Sequence, residues 1–247
     1  MSSSPVLQIE NVSAGYGGIK AVRGVTLAVS SGQIVALVGA NGAGKTSLLR
    51  AATGLLTVSS GRVVLHGRDI TGLRTEERVR LGMTLVPERR ELFAGMSVHD
   101  NLELGAFALR RAPGAHDRMV TQRLQLQQQF PVLATDGRKR AGALSGGQQQ
   151  QLAIARALMA APTLMLLDEP SFGLSPILAQ QVFRTLRELA DAGLAVVIVE
   201  QNAELALRYS DRISIMQTGA IIAEGSAAEL RGTTVLQAAY LGRQTPA

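Results

Sequence analysis

The chain has 247 residues, of which 46% are hydrophobic and 18% charged, with a formal net charge of +6 and no cysteine. This composition describes a globular protein with a substantial core and excludes general disorder, disulfides, thiolate metal sites and a cysteine nucleophile. Aromatic residues make up only 3% and the positive charge is spread along the chain, so a nucleic-acid surface that stacks bases is not expected.

The first ten residues lack the basic start and apolar segment of a secretion signal. The longest apolar-rich run, residues 157–167, contains Pro162 and is shorter than the roughly 18 residues that a membrane span requires. We therefore expect the chain to be soluble when isolated.

Short β-type runs separated by Gly and Ser turns open the chain. The third run is solidly apolar, as a strand buried on both faces would be. A segment with helical spacing follows it and stops at Gly54, which fits a C-cap. The predicted elements of this half are strands at 6–12, 22–30, 33–39 and 83–87, a further strand pair around 61–67, and helices at 45–54 and 76–80.

The pattern changes between residues 97 and 161, where only helical segments are predicted, and strands and helices alternate again afterwards. This alternation predicts an α/β fold with a mainly parallel sheet, in which ligands bind at the carboxyl ends of the strands. The predicted elements are helices at 97–109, 117–130, 146–160, 175–193 and 202–210, strands at 163–169, 194–200, 212–216 and 220–225, and a short C-terminal helix.

A glycine-rich segment, "GANGAGKT", joins the third strand to the first helix. This is the setting of a phosphate-binding loop, in which backbone N–H groups and the positive helix end surround a polyphosphate. Lys45 would neutralise the phosphates and the Thr46 hydroxyl would hold Mg²⁺. The residues predicted to bind ATP here are Gly39, Ala40, Asn41, Gly42, Ala43, Gly44, Lys45, Thr46 and Ser47.

Two adjacent carboxylates, Asp168 and Glu169, end the apolar strand at 163–169. Unpaired buried charge is costly, so the pair needs a reason. Asp168 holding Mg²⁺ and Glu169 polarising the attacking water would supply one. The alternative is a turn cap in which Asp168 faces solvent.

A second glycine-bearing helix start lies ahead of the helix at 146–160. Ser145, Gly146 and Gly147 would offer bare N–H groups to another anion. Together with the phosphate loop and the carboxylate pair, in this order and spacing, the segment resembles the signature of ATP-binding cassette (ABC) ATPases. The resemblance covers residues 6–241.

This resemblance implies one ABC ATPase domain over residues 6–242. It consists of a P-loop NTPase (RecA-like) core with an N-terminal antiparallel β subdomain, at 6–88 and 162–242, and an inserted all-helical subdomain at 89–161. In that family the signature caps the ATP held by the opposite subunit, so hydrolysis requires a head-to-tail dimer.

Further roles are implied by the same resemblance. Tyr16, in an early loop, would stack on adenine, and residues 171–175 would cross the dimer interface. The helical subdomain would dock on a membrane partner.

Three positions depart from the usual family pattern. Glu88 stands where most members have a glutamine that contacts Mg²⁺, so the resemblance implies that Glu88 is a Mg²⁺ ligand beside Thr46 and Asp168. Gln151 stands where an arginine is common. Gln201, in "VEQN", replaces a histidine that contacts the γ-phosphate. Glu88, "VEQN" and the terminal "AYLG" at 239–242 resemble the smaller of the two paired ATPase subunits of branched-chain amino-acid importers.

The amide of Gln201 can donate a hydrogen bond to a phosphate oxygen but cannot carry a proton near pH 7 as an imidazole can. We expect Glu169 to be the chief general base, with Lys45 and Gln201 assisting the reaction. The alternative for Gln201 is a polar strand cap exposed to water.

The expected function is ATP hydrolysis that powers an importer of branched-chain or related amino acids at the cytoplasmic face of the inner membrane. The expected partners are a second cassette, identical or different, two permeases and a periplasmic or extracytoplasmic binding protein, with no nucleic acid. The alternatives are an importer of urea, amides or other amino acids, and a non-transport cassette that acts on nucleic acid or ribosomes.

Overall fold

The computed structural model describes residues 4–110 and 114–230. Its strands are β1 (Leu7–Tyr16), β2 (Ile19–Val29), β3 (Ile34–Val38), β4 (Val58–Leu65), β5 (Arg68–Asp69), β6 (Met83–Val86), β7 (Leu164–Asp168), β8 (Ala195–Glu200), β9 (Arg212–Gln217) and β10 (Ala220–Gly225). Its helices are α1 (Lys45–Thr53), α2 (Thr75–Arg80), α3 (Val98–Gly105), α4 (Ala115–Gln129), α5 (Pro131–Thr135), α6 (Gly146–Leu158), α7 (Pro176–Asp191), α8 (Ala203–Tyr209) and α9 (Ala227–Leu230). Two 3₁₀ turns lie at Phe107–Leu109 and Ala141–Ala143.

Two sheets form the framework. Four strands pair antiparallel in the order β2-β1-β4-β5, and six strands form a second sheet in the order β10-β9-β3-β8-β7-β6. All neighbours in the second sheet are parallel except β9 and β10. The predicted α/β architecture, with an antiparallel β subdomain and a helical insertion between β6 and β7, is confirmed.

The central strands β3, β7 and β8 are buried along their whole length. Their registers align Val38 with Glu200 and Asp168 with Val199. The carboxyl ends of the three strands therefore lie side by side. This edge carries the phosphate loop, the carboxylate pair and the start of "VEQN".

Apolar side chains cover both faces of the parallel sheet. On one face, Leu37 packs in a cluster with Leu49 of α1 and residues of the antiparallel sheet. On the other face, Leu167 shares a cluster with Phe183 of α7 and Leu152 of α6. Full burial of one such side chain stabilises the fold by about 1.5–3 kcal/mol. Because Leu152 belongs to this cluster, α6 attaches the helical insertion to the sheet.

Tyr16 is not in a loop, contrary to the sequence-based expectation. β1 continues to Tyr16, which pairs with Ile19 across the turn Gly17–Gly18. Both glycines have positive φ, of 52° and 88°, as two-residue hairpin turns require. The strand was predicted to end early because the bulges in β1 interrupt its alternation.

The short helix α5 was not predicted, whereas β5 pairs with β4 and gives the strand pair that was predicted around 61–67. The C-terminal helix is described only as α9, and "AYLG" at 239–242 lies outside the described residues. Among residues 4–110 and 114–230, every helix is too short or too polar to cross a membrane.

Candidate nucleotide-binding and hydrolysis site

Glycine is required at both ends of the phosphate loop. A Cβ on Gly39 would lie 2.2 Å from the carbonyl oxygen of Met216. Gly44, which precedes α1, has a φ of 104°, and its Cβ would lie 2.3 Å from the carbonyl oxygen of Ala21. The neighbouring strands therefore fix the path of the loop.

The N-terminus of α1 is open towards a cavity. No side chain caps this fully described helix, and its first turn carries no acidic residue. Residues 41–47 line a cavity of about 470 Å³, together with Ala21, Glu88, Glu169, Phe172 and Gln201. We name it the phosphate cavity. An uncapped helix start beside such a cavity suits a phosphate group, which the N–H groups and the helix dipole attract.

Lys45 is held inside the loop. It is 4% exposed, and its Nζ donates hydrogen bonds to the carbonyl oxygens of Gly39 at 2.8 Å and Ala40 at 3.1 Å. Burial lowers the pKa of Lys45, while the carboxylates of Glu169, Asp168 and Glu200 act in the opposite direction. The three carboxylates thus help to keep a buried ammonium charged.

Asp168 connects the sheet to the loop. It is 7% exposed, and its Oδ1 accepts a hydrogen bond from the Thr46 hydroxyl at 3.0 Å. Burial raises the pKa of Asp168, and the hydrogen bond from Thr46 opposes that rise. The structure excludes the alternative in which Asp168 faces solvent.

Glu169 adopts an unusual backbone conformation at the end of β7. Its φ is 46°, in the left-handed region that costs a non-glycine residue about 1–3 kcal/mol. Its N–H donates to the carbonyl oxygen of Val199 at 2.9 Å. This contact holds the end of β7 against β8, and the Glu169 side chain lines the cavity.

Gln201 contacts Glu169 directly. Its Nε2 donates a hydrogen bond to Oε1 of Glu169 at 2.5 Å, and both residues line the same cavity. Gln201 is exposed, but its amide is engaged with the carboxylate. Its predicted contact with the γ-phosphate stays a prediction.

The predicted Mg²⁺ ligands are all oxygen donors, which suits that ion. The Thr46 hydroxyl and Asp168 are in contact, and Glu88 lines the cavity beside Thr46. Within the described residues, no group of three or more His, Asp or Glu side chains could hold a metal by itself. Mg²⁺ commonly takes one or two carboxylates and completes its shell with water and substrate phosphates, so the donor set fits an ion that arrives with a nucleotide.

Tyr16 lies beside the phosphate cavity and not in it. It lines a neighbouring cavity of about 530 Å³, whose wall also includes Thr46 and Glu88. The ring is 45% exposed, and its hydroxyl accepts a hydrogen bond from Nη1 of Arg50 at 3.4 Å. A nucleotide with its adenine on Tyr16 and its phosphates at the start of α1 would therefore span both cavities.

The N–H groups at the start of α6 are not all bare, which corrects the expectation. Ser145 Oγ accepts from the N–H of Gln148 at 3.4 Å, and Gln148 Oε1 accepts from the N–H of Ser145 at 2.9 Å. This reciprocal arrangement is a capping box. Among the described residues that line the two cavities, none belongs to the segment 145–147.

Arg90 and Arg156 join segments that the sequence analysis left unconnected. Arg90 donates to Oε1 of Gln150 at 2.8 Å and to the carbonyl oxygen of Phe172 at 3.2 Å. Arg156 donates to the carbonyl oxygens of Arg90 and Glu91, both at 2.7 Å. The segment after Glu88 is therefore attached to α6 and to the loop that follows Glu169.

Glu200 is a second feature that the sequence analysis left without a role. It is 1% exposed, and burial raises its pKa, against hydrogen bonds from Ser171 and Asn202. A carboxylate that ends an otherwise apolar strand was the signal that could have identified it.

Known proteins that resemble this chain are ATP-binding proteins of ABC transporters, in agreement with the fold and the phosphate loop. Residues 22–172 match the ABC transporter family. The chain is 40% identical over 237 residues to the high-affinity branched-chain amino acid transport ATP-binding protein BraG of Pseudomonas aeruginosa, covering 96% of this chain and 100% of BraG. It is 34% identical to the lipopolysaccharide export system ATP-binding protein LptB of Escherichia coli, covering 96% of this chain and 97% of LptB.

Solved structures agree with the fold. The ADP conformation of MJ1267, an ATP-binding cassette of an ABC transporter, has a TM-score of 0.87 at 29% identity and covers 98% of this chain and 100% of its own. The dimeric post-hydrolysis state of the cassette MJ0796, bound to ADP and Pi, has a TM-score of 0.78 at 26% identity. That similarity covers 92% of this chain and 100% of the MJ0796 chain.

Proposed function

This chain belongs to the ABC transporter family and is an ATPase of that family, and from this premise we propose that it powers an importer of branched-chain or related amino acids. For hydrolysis, the observation that carries the proposal is that residues 41–47 of the phosphate loop, Glu169 and Gln201 line the same cavity. For the cargo, support comes from the similarity to BraG over 96% of this chain and from Glu88 and Gln201, two of the three positions that depart from the usual family pattern.

ATP would bind with its phosphates at the open N-terminus of α1. There the N–H groups of the loop and the ammonium of Lys45 meet the negative charge. The Thr46 hydroxyl, Asp168 and Glu88 would hold Mg²⁺, which neutralises charge on the phosphates when it is bound. Tyr16 would stack on the adenine from the adjoining cavity.

Glu169 would orient the attacking water and accept its proton. The left-handed backbone at Glu169 directs the carboxylate into the cavity, and the amide of Gln201 holds one of its oxygens. A carboxylate that already accepts a hydrogen bond is fixed in direction before the substrate arrives. Gln201 can donate to a phosphate oxygen with its second N–H, but it transfers no proton.

Two cassettes would be needed to complete each site. Ser145, Gly146 and Gly147 lie at the start of α6 and, among the described residues, outside the lining of the two cavities beside the phosphate loop. This segment would instead contact ATP on a second subunit. Residues 171–175 would lie at the contact between the two cassettes. Phe172 in that loop is 57% exposed, as an interface residue of an unassembled subunit can be.

The contacts of Arg90 and Arg156 suggest how the state of the site reaches the helical insertion. Glu88 lines the cavity, and two residues later Arg90 binds Gln150 of α6 and the loop after Glu169. A shift of Glu88 on nucleotide binding would therefore move α6. Two permeases docked on the helical insertion, at the cytoplasmic face of the membrane, would receive that movement, with a binding protein delivering the amino acid.

Uptake of labelled leucine tests the cargo. A strain without this chain should lose uptake, and the wild-type gene should restore it while the Lys45→Ala variant should not. A matched assay with labelled urea provides the control for the nearest alternative. Normal leucine uptake with loss of urea uptake, or with a defect in lipopolysaccharide export, would refute the amino-acid proposal.

The second cassette could be a different chain with a histidine at the position of Gln201. The two composite sites would then hydrolyse ATP at unequal rates, since only one carries an imidazole. Introducing the phosphate-loop lysine-to-alanine change into one cassette at a time should give unequal losses of turnover. Equal losses would refute this asymmetry.

A further inference from the structure

Four hydrogen-bond donors converge on the buried carboxylate of Glu200. Its Oε1 accepts from the N–H of Ser171 at 3.0 Å, and its Oε2 accepts from the Ser171 hydroxyl at 2.9 Å. Oε2 also accepts from the N–H groups of Gln201 at 3.2 Å and Asn202 at 3.3 Å. Because both oxygens are used, this side chain fixes the loop after Glu169 against the end of β8.

We infer that Glu200 is a positioning residue for hydrolysis, which holds Glu169 in its reactive orientation by fixing Ser171 on one side and Gln201 on the other. The inference rests on the proposed role of Glu169 as general base. Glu200 does not line the cavity among the described residues, so it acts through its neighbours and not on the substrate.

The connection between Glu200 and Glu169 runs along two short paths. Ser171 follows Glu169 by two residues, and the N–H of Phe172 donates to the carbonyl oxygen of Glu169 at 2.9 Å. On the other path, Gln201 follows Glu200 directly and donates to the carboxylate of Glu169. A change at Glu200 therefore reaches both the backbone and the side chain of Glu169.

A carboxylate is the side chain that suits this place. The amide of a glutamine would offer one oxygen in place of the two of Glu200. Its NH₂ group would then face one of the N–H or O–H donors, and two donors cannot form a hydrogen bond with each other. Replacing Glu200 by glutamine keeps the size and removes one acceptor side. The loop from 169 to 172 would have to shift, and a displacement of about 1 Å at a reacting group can cost roughly a hundredfold in rate.

The test compares kcat and the KM for ATP of three full-length variants. Each is assayed as the isolated chain if that hydrolyses ATP, and otherwise in complex with its partner cassette. Glu200→Gln should lower kcat about tenfold or more while leaving the KM for ATP within about twofold, because the phosphate loop is untouched. Ser171→Ala removes only the hydroxyl donor and should lower kcat by about threefold. Glu204→Gln makes the same chemical change at an exposed residue of α8 and should leave both constants unchanged.

Thermal melting and ATP affinity are measured on the same samples. A near-wild-type kcat per folded site in Glu200→Gln, with or without a lower Tm, would overturn the inference, since Glu200 would then be structural only. If Glu200→Gln fails to fold, Ser171→Ala decides: an unchanged kcat counts against the inference and a lowered kcat supports it. Glu169→Gln is assayed in parallel, and turnover near wild type in that variant would refute the proposed base and this inference together.

Discussion

Two helices of this protein begin at or directly after a glycine and contrast in how the N–H groups of their first turns are hydrogen-bonded. α1 begins after Gly44 without a side-chain cap, and the loop before it lines a cavity with Lys45 at its base. α6 begins after Ser145, whose side chain and that of Gln148 cap each other's N–H groups. The first helix start is arranged for an anion, whereas the second supplies its own oxygen acceptors.

The difference shows that a glycine-rich helix start does not by itself specify what it binds. The cap residue decides whether the first N–H groups stay available, and the surrounding strands decide whether a cavity lies in front of them. We expect α1 to bind phosphate within one subunit and α6 to contribute only when a second cassette is present. Five substitutions, in four experiments, test this contrast.

Lys45→Ala should have the largest effect. Loss of the buried ammonium removes a positive charge from the phosphate cavity, and we expect ATP turnover to fall about 10²–10³-fold. Lys20→Ala, at an exposed lysine of β2, is the control and should keep full turnover. Steady-state phosphate release measures both variants. A Lys45→Ala protein with normal turnover would mean that α1 is not the phosphate site.

Thr46→Val should come next. Valine keeps the shape of threonine but loses the hydroxyl that donates to Asp168, so both a predicted Mg²⁺ ligand and a partner of a buried carboxylate disappear. We expect turnover to fall about 10–100-fold and the Mg²⁺ concentration for half-maximal activity to rise. The matched control is Thr185→Val in α7, where the hydroxyl bonds only to its own helix at Gln181. An unchanged Mg²⁺ dependence in Thr46→Val would count against the metal assignment.

The same glycine-to-alanine change should separate the two helix starts by stability. Gly44→Ala places a Cβ 2.3 Å from a carbonyl oxygen at a φ of 104°, and we expect a loss of about 2 kcal/mol or more in the free energy of unfolding. At Gly146 the nearest atoms to a new Cβ are 3.9 Å away, so Gly146→Ala should stay within about 0.5 kcal/mol. Chemical denaturation compares the two. Equal losses would show that the two loops are equally constrained.

Ser145→Ala should have the smallest effect on ATP binding by the isolated chain. It removes the Oγ cap of α6 and should destabilise the fold by about 1 kcal/mol. ATP affinity of the single chain should not change, because Ser145 lies outside the described lining of the phosphate cavity. Equilibrium binding to the isolated chain, followed by turnover in the assembled complex, distinguishes the two contributions. Weaker ATP binding by the isolated chain would place α6 in the chain's own site.

Much of this architecture could be predicted from the sequence because its signals are local. The apolar runs of β3, β7 and β8 marked buried strands, and the glycines and Lys45 marked the loop between β3 and α1. The adjacency of Asp168 to that loop followed from the rule that parallel strands end on one edge of the sheet. The contact of Thr46 with Asp168 is the outcome of that rule.

The features that could not be predicted depend on long-range contacts or on side-chain direction. Bulges in β1 interrupt the alternation of apolar and polar residues, so the sequence pattern did not predict that β1 continues to Tyr16. Its pairing with β2 in the structure shows the hairpin. The role of Glu200 depends on Ser171, which is distant in sequence and adjacent only because β7 and β8 pair. Ser145 followed three residues later by Gln148 is the sequence pattern of a capping box and predicts the capping of α6. The prediction of bare N–H groups relied instead on Gly146 and Gly147, which lie between them.

The hydrogen bonds of Lys45 to Gly39 and Ala40 also bear on turnover. When phosphate departs, the ammonium has two carbonyl partners within its own loop and is not left unsolvated in a buried position. A nucleotide at the proposed site would have to compete with those partners, so we expect them to lower its affinity. We expect the same competition to speed the departure of product from the loop.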